Sequence, residues 1–587
     1  MAGTITLEPG TPILKEANLP GEVIAVTTST TMLKKGTEQL FLIKSHPLAR
    51  YYQLSEVQLP DGRTGYTHTN LMFHPDGRIE SGNMLEFWRI PLAVLLGGAL
   101  AALVAILYKK RESEDQWRYL ELGLIPVLLR MFCLILLLNQ AQNIIASPAD
   151  ENGYYANLLD ILNWDFSGQW HFTVGTSLFY LPFEFLWGSG NLIDLLIPLS
   201  WFEGFVIAPF SLYLGYLIGR KLLNSETKAC IAMLGWAILP FIWHHVPDFP
   251  NKFFTVFGGL PSSEFSYSHY ITLIGCGFSA MSDTPSTMLM LSCFALLLCA
   301  KASWRTVTAA AFLFGVGCMF RINNILFAPA IAAIILLQRP EYFAGVKKTV
   351  HLTLIGAGAF LLGFLPQIVA NWHFFGNPLK FSYTNYAQGA HTYIDWIFVE
   401  LNSAFYGAVN SLLWIPGILA LFFIRDRKLR LTLALWTIPV ILFFFGYSHG
   451  TDDPVRFILS SYPAFFIAIT GCGVWDKLKK RDFLWLLPIF AGLFACTPNS
   501  VHGSYHWYFS APYRLFWREG GFTYLAATGV VAIVVGVVAL YKKNRHCGIF
   551  LGISALLYLF GNAYILAVGL VTALVYALFD TLKGTSK

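Results

Sequence analysis

Residues 149–183 read ADENGYYANLLDILNWDFSGQWHFTVGTSLFYLPF. This is the longest polar, acidic interruption in a chain that is otherwise membrane-like. Asp150, Glu151, Asp160, Asp165 and His171 fall here, between two long apolar runs. Working outward, the flanking runs at 88–108 and 120–146 are long enough to cross a bilayer core of roughly 30 Å. Later runs fall near 191–219, 229–243, 284–300, 306–320, 323–337, 350–370, 402–424, 431–447, 457–475, 483–497, 522–541, 548–560 and 563–579. The sum is about 15 spans. Several are shorter than the usual length of about 20 residues, so pairs such as 306–320 with 323–337 are expected to tilt or re-enter.

Composition agrees with that reading. Only 13% of the 587 residues are charged, against about 25% in soluble domains, and the mean hydropathy is +0.55. The net charge of +6 does not point to nucleic acid, because most Lys and Arg lie in short clusters between apolar runs. The nine cysteines show no CxxC pair and no Cys/His ligand spacing, so neither a disulfide framework nor a zinc ribbon is expected. The first 20 residues lack the apolar core of a cleavable signal peptide.

Residues 1–85 differ from the rest. Short β-rich runs at 22–28, 39–43 and 51–59 alternate with turn signals, with Lys35-Gly36 and Asp61-Gly62 as tight-turn candidates. LPDGRTGYTHTNL at 59–71 resembles the closing hairpin of bacterial SH3-type domains; another small β-domain is the alternative. The fold class is thus a polytopic α-helical membrane protein with a small N-terminal all-β, SH3-like barrel. The domains are 1–85 and 86–587, and the latter carries an outer loop at 147–190.

Charge orients the spans. Counting alternate loops, one side receives Lys109–Arg111, Arg220-Lys221, Arg339, Lys347-Lys348, Arg425–Arg430, Lys477–Arg481 and Lys542–Arg545. By the positive-inside rule that side is cytoplasmic. The barrel, Asp150, Asp283, Arg321 and Arg456 then share the extracytoplasmic side of what reads as a bacterial inner or plasma membrane.

Asp150 and Glu151 follow the second span. A carboxylate at the mouth of a membrane cavity can act as general base toward a hydroxyl; the alternative is an acidic first turn of a helix over 154–162. ADENGYY…LLDIL followed by HFTVGTSLFYLPFEFL resembles the first outer loop of the GT-C glycosyltransferases. These are the polyprenyl-phosphate-sugar-dependent membrane enzymes that include the protein O-mannosyltransferases and the lipid A aminoarabinose transferases. Asp150, Glu151, Tyr154 and Pro182 match in order. MSDTP at 281–285, GVGCMFRINNILFAPA around Arg321, and LPQIVANWHFFGNPLKFSY at 365–383 resemble later family segments in sequence order. Departures are the N-terminal β-domain, an extra span, and Phe172-Thr173-Val174-Gly175 where a Pro-Pro pair is usual.

The resemblance implies transfer of a sugar from a polyprenyl-phosphate donor to a hydroxyl of an envelope glycan, lipid or protein, with inversion. Asp150 is the base, and Glu151 orients the acceptor or an ion. Tyr154, Tyr155, His171, Asp283, Arg321 and Arg456 are substrate-binding candidates. A guanidinium meets phosphate oxygens with two parallel hydrogen bonds and keeps its charge, which favours Arg321 and Arg456. Against these stand helix capping at Ser282 or Asp283, interfacial anchoring of Arg321, and a local Asp453–Arg456 pair. Arg130 lies inside a span and is expected to snorkel or pair internally. No resident cofactor is called for. His171, His244, His245 and Asp248 leave a divalent metal open, although adjacent histidines are not a usual ligand spacing. The aromatic segment 501–521 fits a sugar platform or an interfacial belt. Partners are the lipid-linked donor, the acceptor and membrane lipid, not nucleic acid. A transporter or lipid flippase is the alternative function.

Overall fold

The structure is a computed structural model. It describes residues 4–7, 12–15, 22–28, 31–42, 51–67, 94–103, 105, 117–136, 150–167, 170, 172–187, 192–244, 280–343, 345–381, 413–447, 454–496, 521–560 and 563–585.

The N-terminal β-rich runs form a six-stranded antiparallel sheet. Its strands are β1 (Thr4–Leu7), β2 (Pro12–Leu14), β3 (Val23–Val26), β4 (Thr31–Leu42), β5 (Tyr51–Gln58) and β6 (Thr64–Thr67), in the order β1-β4-β5-β6-β2-β3. The Asp61-Gly62 turn joins β5 to β6. Gly62 takes φ +89°, a conformation that glycine adopts without steric cost, and its N–H donates to Leu59 O at 3.0 Å. Arg63 donates from Nε to the Asp61 carboxylate at 2.8 Å, and this hydrogen bond holds the Asp61 carboxyl below its usual range. The other expected turn is corrected. Lys35-Gly36 lies inside β4, at a register shift between Lys35 and Glu38, so a bulge absorbs the glycine while the strand runs on. Ile13, Leu33, Val57 and Leu59 form the sheet's own apolar core. The expected domain boundary at 85 lies outside the described residues.

The stretch 149–183 is mostly helix rather than loop. It contains α2 (Asp150–Asn163) and the start of α3 (Val174–Trp187), after α1 (Trp117–Leu136). Asp150 and Glu151 fill the first turn of α2, where a helix's positive end favours acids. Trp164 at φ 54° ends it. The helix α4 (Leu192–Phe202) continues through a π turn at Glu203–Ile207 into α5 (Ala208–Leu223), because the residues on both sides of the turn keep helical dihedrals. Then follow α6 (Glu226–His244), α7 (Asp283–Cys299), α8 (Trp304–Phe320), α9 (Val346–Phe375), α10 (Arg427–Phe445), α11 (Pro454–Phe457) and α12 (Tyr462–Gly471). The run at 323–337 is irregular, a composite of 3-10, α and π turns from Ile322 to Gln338. Among the described residues four helices are long and apolar enough to span a membrane, and nine shorter apolar helices accompany them.

The main core lies between α5, α6, α7, α8, α10 and α12, around Tyr216, Met233, Phe294, Trp436 and Phe465. Phe294 meets Trp436 edge-on at 4.7 Å. The 30 residues of α9 extend about 45 Å, more than the bilayer core, and only 28% of its apolar window is buried. It packs on α8 where Gly315 faces Phe360 O and Gly363 faces Phe312 O, leaving no room for a Cβ. Small residues let membrane helices approach this closely. Arg130 is buried in α1 and donates to Ala237 O at 3.2 Å, the internal pairing its position requires.

Charged pairs sort by side. Lys228–Asp476 at 2.9 Å, Arg430–Asp580 at 2.6 Å and Arg427–Asp580 at 3.0 Å join residues from the end that carries the basic clusters. Arg339 donates to Leu297 O at 3.0 Å and Ala300 O at 2.9 Å, closing the C-terminus of α7 at that same end.

Candidate active site

At the opposite end, four charged side chains from four separate segments meet. Asp150 begins α2, Asp283 begins α7, Arg321 follows the last turn of α8, and Arg456 lies in α11. Local physics favours each placement. Acids gain at helix N-termini and cations near C-termini. Arg321 itself breaks α8, with extended dihedrals of φ −145° and ψ 113°.

The contacts form one alternating chain. Arg456 Nη2 donates to Asp150 Oδ2 at 2.5 Å. Arg456 Nε lies 3.4 Å from Asp283 Oδ2, and Arg321 Nη1 pairs with Asp283 Oδ1. Each oxygen of Asp283 therefore serves one guanidinium. The Asp283 side chain is 1% exposed and Arg456 10%, while Asp150 is 30% exposed. Asp150 is the end of the chain open to solvent. The remaining terminal nitrogen of Arg456, Nη1, points at Met281 Sδ, 2.7 Å away. Both guanidinium carbons lie over the Phe457 ring, Arg321 at 5.2 Å and Arg456 at 5.3 Å. Phe457 in turn stacks on Phe444 at 5.0 Å and 12°.

Neighbouring hydrogen bonds fix these positions. Ala280 takes φ 52°, uncommon for a residue with a Cβ, and its carbonyl accepts from Tyr180 OH at 2.5 Å. Tyr154 OH donates to Ser282 Oγ at 3.3 Å. The turn that presents Asp283 is thus tied to α2 and α3. On the other side, Thr173 Oγ1 donates to Phe320 O at 2.7 Å, beside Arg321. Asn324 Nδ2 donates to Ser286 Oγ at 2.6 Å and to Gly317 O at 2.7 Å, which sets α8 against the first turn of α7. Gln367 Oε1 accepts from Val174 N at 2.9 Å, Gln367 Nε2 donates to Asn371 Oδ1 at 2.8 Å, and Asn371 Nδ2 donates to Pro378 O at 2.9 Å. The segment after α9 thereby folds back on the helix, with Gly376 at φ +63°.

The sequence candidates divide accordingly. Asp150, Asp283, Arg321 and Arg456 converge. Arg456 pairs across the fold; its expected local partner Asp453 lies outside the described residues. Tyr154 and Tyr155 are buried in an apolar cluster with Leu158, Tyr180 and Phe183, and Glu151 is buried beside them. His171, His245, Asp248 and the segment 501–520 lie outside the described residues, as does the side chain of His244. Among the described residues no three His, Cys, Asp or Glu side chains converge as a metal site requires, and both site aspartates face guanidinium groups. Sequence reading missed Met281 and Phe457, which carry no charge to mark them. Their only signal is adjacency, to Ser282-Asp283 and to Arg456.

No protein-family model matches the sequence, and no curated protein does. Among solved structures, the chain is similar to ArnT from Cupriavidus metallidurans bound to undecaprenyl phosphate. That match has 16% identity and a TM-score of 0.39, covering 75% of this chain and 77% of the other. It is also similar to the Archaeoglobus fulgidus oligosaccharyltransferase tethered with an acceptor peptide, at 11% identity and a TM-score of 0.39. There it covers 76% of this chain and 56% of the other.

Proposed function

We propose that this chain is a membrane glycosyltransferase of the GT-C type. It moves a sugar from a polyprenyl-phosphate donor to a hydroxyl of an envelope glycan, lipid or protein. The observation that carries the reading is the convergence of Asp150, Asp283, Arg321 and Arg456 at one end of the helices. Three of the four, Asp150, Asp283 and Arg321, lie in the segments that carry the sequence resemblance, and Arg456 is expected from its charge and outer-face position.

The chemistry balances with these groups alone. The acceptor hydroxyl gives its proton to the Asp150 carboxylate, and its oxygen attacks the anomeric carbon. The bond from that carbon to the phosphate oxygen breaks, and the phosphate keeps the electron pair, gaining one negative charge. Attack from the face opposite the leaving group inverts the anomeric centre. Arg321 and Arg456 meet the growing charge, and fixed donors of this kind favour the transition state over the ground state. Asp283 and Phe457 hold the two guanidiniums side by side, and the extracytoplasmic leaflet supplies the donor laterally.

The test is Asp150→Asn in purified protein supplied with polyprenyl-phosphate sugars. Loss of a general base costs about 10²–10⁴-fold in rate, so transfer should fall by that much while the variant elutes and unfolds like the parent. Full transfer by the variant removes Asp150 from the mechanism.

A further inference from the structure

Arg456 has three nitrogens, and the structure gives each an occupant. Nε faces Asp283 Oδ2 at 3.4 Å. Nη2 donates to Asp150 Oδ2 at 2.5 Å, and Nη1 meets Met281 Sδ at 2.7 Å. These occupants are unequal. Asp283 is buried and also pairs with Arg321, so the Nε side faces a fixed carboxylate through charge alone, without a hydrogen bond. The Nη1–Nη2 edge faces one solvent-reaching carboxylate and one thioether, and a thioether is a weak acceptor. A guanidinium edge suits two parallel hydrogen bonds to one planar or tetrahedral oxyanion. Here it is closed by two separate groups, one of them a poor match.

We propose that the Nη1–Nη2 edge of Arg456 is the seat of the donor's phosphate, closed before binding by Asp150 and Met281. A polyprenyl phosphate takes both hydrogen bonds, replaces the sulfur with a strong acceptor, and releases Asp150 Oδ2 toward the acceptor hydroxyl. The base is thus uncovered by the substrate it serves, and donor binds before the acceptor is activated. Arg321 adds its charge from the far side of Asp283, and the shared Phe457 ring keeps both guanidiniums in place while Asp150 leaves. This inference rests on the proposed transferase reading and adds the order of events and the role of Met281.

A purely structural ion pair makes the opposite prediction for binding. If Asp150 merely stabilises Arg456, its loss loosens Arg456 and weakens phosphate binding. If Asp150 competes with phosphate, its loss strengthens binding.

The experiment measures the affinity of purified full-length protein for polyprenyl phosphate, in parent, Asp150→Asn, Arg456→Lys and the double variant. Asp150→Asn should bind the lipid phosphate about tenfold tighter, the equivalent of about 1.4 kcal/mol. Arg456→Lys keeps the charge but loses the edge, so adding Asp150→Asn to it should change affinity little. Unchanged or weaker binding by Asp150→Asn overturns the inference. As a check that needs no variant, a structure of the parent with polyprenyl phosphate should show the phosphate on Nη1 and Nη2. Asp150 should then lie beyond the salt-bridge limit of about 4 Å from Arg456. A phosphate seated elsewhere with the pair intact also overturns it. The two proposals fail separately. Transfer retained by Asp150→Asn defeats the base assignment, whereas transfer lost with affinity unimproved defeats only the displacement.

Discussion

Glu203 is a buried acid that the proposed chemistry does not use. It is fully buried in an apolar helix, and among the described residues neither carboxylate oxygen has a hydrogen-bond partner. It opens the π turn that joins α4 to α5, and such turns recur at functional sites. An unsatisfied buried polar group costs about 1–3 kcal/mol. Glu203→Leu should therefore raise the unfolding free energy in detergent by an amount in that range, measured by thermal or denaturant unfolding. A lower stability would mean that Glu203 is satisfied by lipid or water in the membrane. The four converging residues were legible in the sequence because charge is scarce in this chain, so each charged residue at the end of an apolar run stands out. Glu203 was not legible, since one acid after Phe202 reads as a polar break in a helix. Met281 and Phe457 were not legible either, since apolar residues near a site look like any core residue.

At the level of elements, α3 enters at Gly175, and a Cβ there would meet Met319 O and Phe320 N at 2.7 Å. Both are backbone atoms and cannot swing aside. Glycine at this position lets α3 lie against the end of α8, and Thr173 ties the same place to Phe320 O. Gly175→Val should force α3 and α8 apart, costing about 1–3 kcal/mol as overpacking does. It should also weaken polyprenyl-phosphate binding, because Arg321 follows Phe320 directly. Unfolding and lipid-binding measurements on that variant check both effects, and normal values for both would mean the two helices are not positioned by this contact. The apolar runs gave most helices to within a few residues: 284–300 became Asp283–Cys299, and 229–243 became Glu226–His244. Residues 149–183 misled because polarity was read as loop. Acids at a helix N-terminus look the same in sequence as acids in a loop, and only the packing of Tyr154, Tyr155 and Leu158 on α3 separates them.

For the molecule as a whole, the membrane sets what the pairings can be. Moving one Lys, Arg or Asp to the bilayer centre costs at least about 2.5–3.5 kcal/mol, which favours charges at the two surfaces, with Arg130 and Glu203 as buried exceptions. Among the described residues the charged pairs lie at two ends of the helices. Lys228, Arg427, Arg430, Asp476 and Asp580 pair at one end, and Asp150, Asp283, Arg321 and Arg456 at the other. The positive-inside rule predicts that the end with the basic clusters faces the cytoplasm, and labelling tests that expectation. Ser167 and Lys477 are both exposed and lie at opposite ends. In intact cells a membrane-impermeant thiol reagent should label Ser167→Cys above the parent background. It should reach Lys477→Cys only after permeabilisation. The reverse pattern would turn the protein over and place the four converging side chains in the cytoplasmic leaflet, where the same chemistry would draw its donor from the other face. Equal labelling of both in intact cells would put them on one side, and the alternating arrangement of spans would fall with it.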